Sequence, residues 1–147
     1  MKQPTVEMYE MEVQSERPRT LIFSQRNLVK ILPYRCAHFE FEDVISQVDS
    51  ADIVAPRLDP STRRHLFAKR LAYHTAVTLN PGIEQIPIRE GYELFLAICG
   101  NPTDLLEINA IKNWRRSCKK AICLIDEVWI TEMGRYRHFL KILDDFD

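Results

Sequence analysis

The chain has 147 residues, of which 46% are hydrophobic and 28% are charged, as in an ordinary globular domain. Its 20 basic and 21 acidic residues leave a net charge of −1 at pH 7, so no overall field attracts a polyanion. This composition argues against a disordered chain, a fibrous protein and a protein that binds nucleic acid.

The first 18 residues are polar and contain Pro4 and Pro18, which predicts a flexible leader or an added edge strand. They lack the apolar run of a secretory signal, and no stretch of the chain approaches the ~20 apolar residues of a membrane span. We therefore expect a cytoplasmic protein with at most peripheral membrane contact.

Four cysteines are spread along the chain, at positions 36, 99, 118 and 123. Their spacing lacks the paired motifs of a zinc site, so we expect free, buried thiols and no metal.

Four short apolar segments predict buried β-strands: Thr20 to Ser24, Ala51 to Ala55, Leu94 to Cys99 and Ala121 to Ile125. Segments with helical spacing follow them, and buried strands that alternate with helices are typical of a parallel sheet. The sequence therefore predicts one α/β domain over residues 19 to 147, a three-layer Rossmann-like domain with a mostly parallel sheet.

The predicted helices differ in how clearly their ends are marked. Apolar spacing predicts helices from Phe39 to Val48 and from Thr131 to Phe146, and a short helix from Asn27 to Leu32. Asp59-Pro60 and Asn101-Pro102 are helix-start signals, because the first residue can cap free amides and proline is tolerated at the first helical position. The two helices that they start are expected to reach about Leu79 and Ser117. The connection at residues 80–91 can cover a site or carry a short edge strand.

A polar or charged run follows each predicted strand. Because the carboxyl ends of parallel strands share one rim, where open α/β sheets bind ligands, these runs predict a binding site. The candidate ligand-binding residues are Gln25, Arg26 and Asn27 after the first strand, Arg57 after the second, Asn101 after the third, and Asp126, Glu127 and Trp129 after the fourth.

Asp126 and Glu127 have two interpretations of similar weight. They can bind a sugar hydroxyl or act as a base, or they can cap the following helix. Trp129 favours binding slightly, since aromatic faces pack on sugar rings and bases. The strand that precedes them is like a Walker B strand, but the chain has no glycine-rich phosphate loop to accompany it.

The basic and histidine residues each have a structural alternative. Arg26 and Arg57 can bind an acidic ligand, although loop hydrogen bonding explains each of them better when it is considered singly. His74 lies on a predicted apolar stripe and is expected to be a core histidine, whereas His38 is the better candidate for the rim.

The order of the segments FSQRN, FEDVISQVDSADIVAP, YELFLAICGNPTDLLEINAIKNWR and KKAICLIDEVW resembles the amino-terminal half of bacterial GT-B-type glycosyltransferases, which have two Rossmann-like domains. The resemblance covers roughly residues 19 to 145. The chain departs from that family in having SQRNLVK where many members have a glycine-rich turn, and in lacking the paired glutamates of the donor domain.

The resemblance implies that this domain faces a glycan or lipid-linked acceptor and that the eight rim residues contact it. A nucleotide sugar would be the co-substrate, with no other cofactor, and a missing or separate donor domain would bind it. We expect no turnover without that domain.

The alternatives to a glycosyltransferase domain are a binding module and a receiver-like phosphoacceptor. The main alternative is a stand-alone Rossmann-like module that uses the same rim to bind a small ligand or a partner protein. A receiver-like phosphoacceptor would need acidic residues after the first strand, where the chain has Ser24 and Gln25.

Overall fold

The computed structural model describes residues 19–28, 36–49, 51–57 and 62–147. The predicted leader, the cap at Asp59 and most of the short helix predicted from Asn27 to Leu32 lie outside the described residues. The side chains of residues 36, 62, 63 and 65 are likewise not described.

The strands of the described residues are β1 (Thr20–Phe23), β2 (Asp52–Val54), β3 (Ile86–Pro87), β4 (Tyr92–Cys99), β5 (Ile111–Lys112) and β6 (Cys118–Ile125). Four of them form a parallel sheet in the order β2-β1-β4-β6. The predicted fold class is therefore confirmed as α/β with a mostly parallel, Rossmann-like sheet. All four predicted strands are present, and β4 and β6 begin two to three residues earlier than expected.

The helices of the described residues are α1 (Cys36–Asp49), α2 (Thr62–His74) and α3 (Met133–Tyr136), with 3₁₀ helices at Pro102–Ala110, Trp114–Ser117, Ile130–Glu132 and Leu140–Asp145. Helices α1 and α2 lie on opposite sides of the sheet, because neighbouring residues of a strand point to opposite faces. Ile22 packs in the cluster that includes Ile45 of α1, whereas Leu21 packs with Ala68 of α2. The domain thus has three layers.

One side of the sheet, here called the covered face, holds most of the hydrophobic core. Its strand residues include Leu21, Phe23, Phe95, Ala97 and Ala121, which are fully buried. The Phe95 ring stacks on Trp114 at a centroid distance of 4.7 Å, and Trp114 lies at the same distance from Phe146. Helix α2, the 3₁₀ segments and the chain end cover this face.

The opposite side, here called the α1 face, is covered less completely. Ile22, Leu96 and Ile98 form a small buried cluster beneath α1. On the edge strand β6, however, Ile122 and Leu124 are each 43% exposed. The predicted apolar stripe of α1 is also largely uncovered, with Phe41, Val44 and Val48 exposed.

The helix predicted from Asn101 to Ser117 begins as expected but does not continue. The Asn101 side chain accepts a 2.9 Å hydrogen bond from the Thr103 amide, and Asp104 completes the capping box. The segment is 3₁₀ helix only to Ala110, because Ile111–Lys112 then forms β5 beside β3. This pairing also confirms a short strand within the 80–91 connection.

The helix predicted from Thr131 to Phe146 is also wrong as a continuous α-helix. Only Met133–Tyr136 is α-helical, and Leu140–Asp145 is a 3₁₀ helix. The partly buried residues Leu140, Leu143 and Phe146 recur every three positions, which is the period of a 3₁₀ helix.

Helix α2 differs from prediction in its length and its buried side. It ends at His74 and not near Leu79. Among its described side chains, those of Ala68 and Ala72 are buried, while Phe67 is 61% exposed and His74 is exposed. The prediction of a core histidine at position 74 is therefore wrong.

Among the described residues, none of the helices has the length and apolar character needed to cross a membrane. Cys99, Cys118 and Cys123 are free thiols, of which the first two are buried as predicted.

Candidate functional site

The carboxyl ends of β4 and β6 remain paired beyond the end of β6. The Asp126 amide donates to the Cys99 carbonyl at 3.0 Å, and the Glu127 amide donates to the Gly100 carbonyl at 3.1 Å. Asp126 lines a cleft beside α1, whereas Glu127, the next residue, lines a cleft beside α2.

The polar cleft lies on the covered side of the rim and has a volume of about 250 Å³. It brings together three of the predicted residues, namely Asn101, Glu127 and Trp129. Its full lining is Tyr73, Asn101, Thr103, Glu127, Trp129 and Tyr136. The cleft therefore combines three aromatic rings with amide, hydroxyl and carboxylate groups, a set that can contact both the faces and the hydroxyls of a sugar ring.

Two features of the polar cleft bear on its chemistry. Burial raises the pKa of Tyr73, and the nearby Tyr136 raises it further, so the Tyr73 hydroxyl keeps its proton at neutral pH. Trp129 is 61% exposed, which leaves its ring available to a ligand. Trp129 also occupies the cap position of the following 3₁₀ helix without a side-chain cap bond, and neither Asp126 nor Glu127 stands at that position.

The apolar cleft lies on the α1 side of the rim, with a volume of about 370 Å³. In it the His38 Nε2 and the Asp126 Oδ2 are 3.1 Å apart, and the His38 side chain is only 13% exposed. The lining is Ala37, His38, Phe41, Ile98, Leu124, Ile125 and Asp126. A carboxylate that orients an imidazole in this way is a common arrangement for a general base.

Arg26 holds α1 to the rim. Its guanidinium lies 2.9 Å from Glu42 and 2.9 Å from Asp43, and 5.7 Å from the centre of the Phe39 ring. Burial raises the pKa of Glu42, while hydrogen bonds from Ser24 and Arg26 act in the opposite direction. The structure thus gives Arg26 intramolecular partners, as the structural alternative expected.

The other residues predicted after β1 and β2 do not line either cleft. Gln25 is buried and donates a side-chain hydrogen bond to Glu107. Asn27 donates to the Ala55 carbonyl at 2.7 Å, which ties the β1 loop to the β2 loop. Arg57 is exposed. These residues occupy the rim but lie apart from the groups at the end of β6.

The sheet reverses its strand order between β1 and β4, where Rossmann-like domains often bind phosphate through backbone amides. Here the Gly100 and Asn101 amides donate to Asp104 Oδ2 at 3.1 and 3.2 Å. The Asp104 carboxylate therefore already accepts the hydrogen bonds that these two amides could donate to a phosphate. Among the described residues, no group of three or more His, Cys, Asp or Glu side chains has the geometry to hold a metal ion.

Sequence reasoning did not single out three residues of the polar cleft. Thr103 directly follows the Asn101-Pro102 helix-start signal, and Tyr136 lies within the helix predicted from Thr131 to Phe146. Tyr73 lies at the end of α2 and had no local signal at all. Their common position depends on how α2 and the 127–136 segment pack together, which no local pattern contains.

No protein-family model, curated protein or solved structure matches the chain. The class of the protein therefore rests on its own architecture, an α/β domain of Rossmann-like form. Two clefts lie on opposite sides of its β6 terminus.

Proposed function

We propose that this chain is the acceptor-side domain of a two-domain glycosyltransferase, which transfers a sugar from a nucleotide sugar to a glycan or lipid-linked acceptor. The observation that carries the proposal is the polar cleft at the end of β6. Its volume of about 250 Å³ is smaller than a typical drug-sized pocket, which suits a single sugar ring. Nucleotide-sugar binding is assigned to a donor domain that is separate from the described residues.

The polar groups of the cleft suit an acceptor sugar. The Glu127 carboxylate can accept hydrogen bonds from sugar hydroxyls, and the Asn101 amide can both donate and accept. The exposed Trp129 ring offers a flat apolar surface to the C–H face of the sugar. Together these contacts would orient the sugar ring through hydrogen bonds and apolar packing, with no ion pair between the cleft and the sugar.

We assign proton removal from the acceptor hydroxyl to His38, oriented by Asp126. The two clefts share the end of β6, because Asp126 lines one and Glu127, the next residue, lines the other. We place the acceptor so that it extends from the polar cleft across the end of β6 toward His38. Its hydroxyl proton would pass to the imidazole as the hydroxyl oxygen bonds to the anomeric carbon of the donor sugar, and the bond from that carbon to the nucleoside diphosphate would break to release the diphosphate.

We also propose a cytoplasmic location. Unpaired thiols at Cys99, Cys118 and Cys123 support it, because cysteines remain reduced most readily in the cytosol.

The test is a titration of the chain with monosaccharides and disaccharides, followed through the indole signal of Trp129 in NMR spectra. Trp129→Ala removes that signal, so its sugar binding is measured by calorimetry, and it should be abolished for any sugar that perturbs the parent protein. Ile130→Ala is the matched control, because Ile130 is the next residue, is 87% exposed and does not line the cleft. A panel in which no sugar shifts the indole signal would refute the acceptor site.

A second candidate function, a module that binds a partner protein, is favoured by the α1 face. Ile122 and Leu124 of β6 lie beside an α1 whose Phe41 and Val44 are also about half exposed. Contiguous exposed apolar side chains often mark protein interfaces. Self-association measured by sedimentation, and removed by Leu124→Lys while sugars have no effect, would favour this function.

A further inference from the structure

A basic cavity adjoins the polar cleft. It has a volume of about 410 Å³ and is lined by Tyr73, His74, Gly134, Arg135 and Arg137. Tyr73 lines both spaces, and Tyr136, which lies between the two arginines in the chain, lines the polar cleft. The basic cavity therefore begins where the polar cleft ends.

The charges around the basic cavity are mostly positive. Arg135 donates to Glu132 at 2.7 Å, and Arg137 donates to His138 Nε2 at 3.1 Å. A guanidinium has five N–H donors, so a single such bond leaves each arginine able to donate further hydrogen bonds. Glu132 is the only carboxylate paired with these arginines among the described residues, which leaves one excess positive charge before His74 is counted.

We propose that the basic cavity binds a phosphate group carried by the sugar that occupies the polar cleft. This inference rests on the proposed function, which it deepens by making the acceptor a phosphorylated sugar. Guanidinium groups pair with phosphate oxygens through two parallel hydrogen bonds, and both Arg135 and Arg137 line this cavity.

The same phosphate chemistry can come from a soluble sugar phosphate or from a lipid-linked sugar. Calorimetric titrations with α-D-glucose 1-phosphate and with the glucosyl phosphodiester of geraniol distinguish these sources. Tighter binding of the diester indicates a lipid-linked acceptor, and tighter binding of the monoester indicates a soluble one. Methyl α-glucoside and inorganic phosphate serve as the separate halves of the ligand.

The charge test uses the double variant Arg135→Gln/Arg137→Gln. It should weaken glucose 1-phosphate binding by about tenfold or more while methyl α-glucoside binding changes less than about twofold. Lys112→Gln/Arg116→Gln removes the same charge from exposed positions outside the cavity and should leave both affinities unchanged. Equal losses in the two double variants would show a general charge effect and overturn the proposal.

A steric test is independent of charge. A Cβ atom built at Gly134 meets no heavy atom within 4 Å, so the backbone position has open space for the start of a side chain. Gly134→Leu should fill part of the cavity and reduce binding of glucose 1-phosphate but not of methyl α-glucoside. Gly134→Ala controls for the loss of glycine itself, and unchanged phosphate binding in Gly134→Leu would count against the cavity.

The two proposals fail in different ways. If methyl α-glucoside binds and the phosphate of glucose 1-phosphate adds no affinity, the phosphate subsite is wrong and the acceptor site stands. If neither sugar binds, both are wrong, whatever inorganic phosphate does.

Discussion

The two faces of the sheet differ both in how they are covered and in the cleft that each forms at the rim. The covered face packs α2, the 3₁₀ segments and the chain end over Phe95 and its neighbours, and its cleft is polar and aromatic. In the described part of the chain, the α1 face has a single helix over a small cluster, and its cleft is apolar around His38 and Asp126. One face therefore stabilises the domain, whereas the other leaves apolar surface available for contact.

The largest expected effect comes from comparing one core residue of each face. Phe95→Ala should destabilise the protein by about 3–5 kcal/mol, because it removes a fully buried ring stacked on Trp114. Leu124→Ala should cost only about 1 kcal/mol, because Leu124 is 43% exposed. Chemical denaturation of both variants measures the difference, and similar losses would mean that the α1 face is covered in solution.

A smaller loss is expected where α1 is attached. Arg26→Ala leaves the buried Glu42 without its guanidinium partner and should cost about 1–3 kcal/mol, less than for a fully buried pair because Arg26 is partly exposed and Glu42 can take up a proton. Arg57→Ala, at an exposed arginine of the same rim, should change stability by less than about 0.5 kcal/mol. Thermal unfolding of the two variants compares them directly. If Arg26→Ala and Arg57→Ala are equally stable, Arg26 contributes little to the fold, which would favour the ligand-binding role predicted from the sequence.

The adjacent carboxylates at the end of β6 test whether the two clefts have separate roles. Glu127→Gln should weaken sugar binding by about tenfold, because it removes a charged acceptor from the polar cleft. Asp126→Asn should leave sugar binding nearly unchanged but alter the ring ¹⁵N signals of His38, since its carboxylate partner is lost. NMR titration of both variants provides the two readouts. If Glu127→Gln and Asp126→Asn lose sugar binding equally, both carboxylates belong to a single sugar-binding site.

The smallest expected effect is a pH dependence on the α1 face. Burial raises the pKa of Glu42 above its ordinary value, so the folded protein holds this proton more tightly than the unfolded chain does. The stability contributed by Glu42 is therefore present below the unfolded pKa and is lost as pH rises through the folded pKa.

Glu42→Gln removes this titration. Denaturation at several pH values between about 4 and 7 should show the parent losing stability relative to the variant as pH rises. The opposite trend would mean that the attraction of Arg26 outweighs the burial of Glu42.

The local features of the fold were predictable because each depends on neighbouring residues. The buried strands were visible as short apolar runs, and the Asn101 cap as a polar residue before proline. The 102–117 helix was mispredicted because Ile111–Lys112 pairs with Ile86–Pro87, a contact across more than 20 residues that overrides helical spacing. Asn113, with φ of 58°, marks the resulting break.

The candidate site was predictable only in part, for a related reason. Strand ends in a parallel sheet share a rim, so the sequence correctly placed Asn101, Glu127 and Trp129 near one another. It could not show that Gln25, Arg26 and Asn27 have partners within the chain, because those partners lie up to 82 residues away. It also could not show that Tyr73 and Tyr136 complete the cleft.

By itself, the sequence determined the class of fold, the rim and the types of side chain that the rim offers, because apolar periodicity and strand polarity are properties of the chain. Only the tertiary structure decided that Asp126 and Glu127 line different clefts, that His38 pairs with Asp126, and that two arginines line a cavity beside the polar cleft. These outcomes depend on which faces of distant segments meet. Packing, and not local preference, sets that geometry.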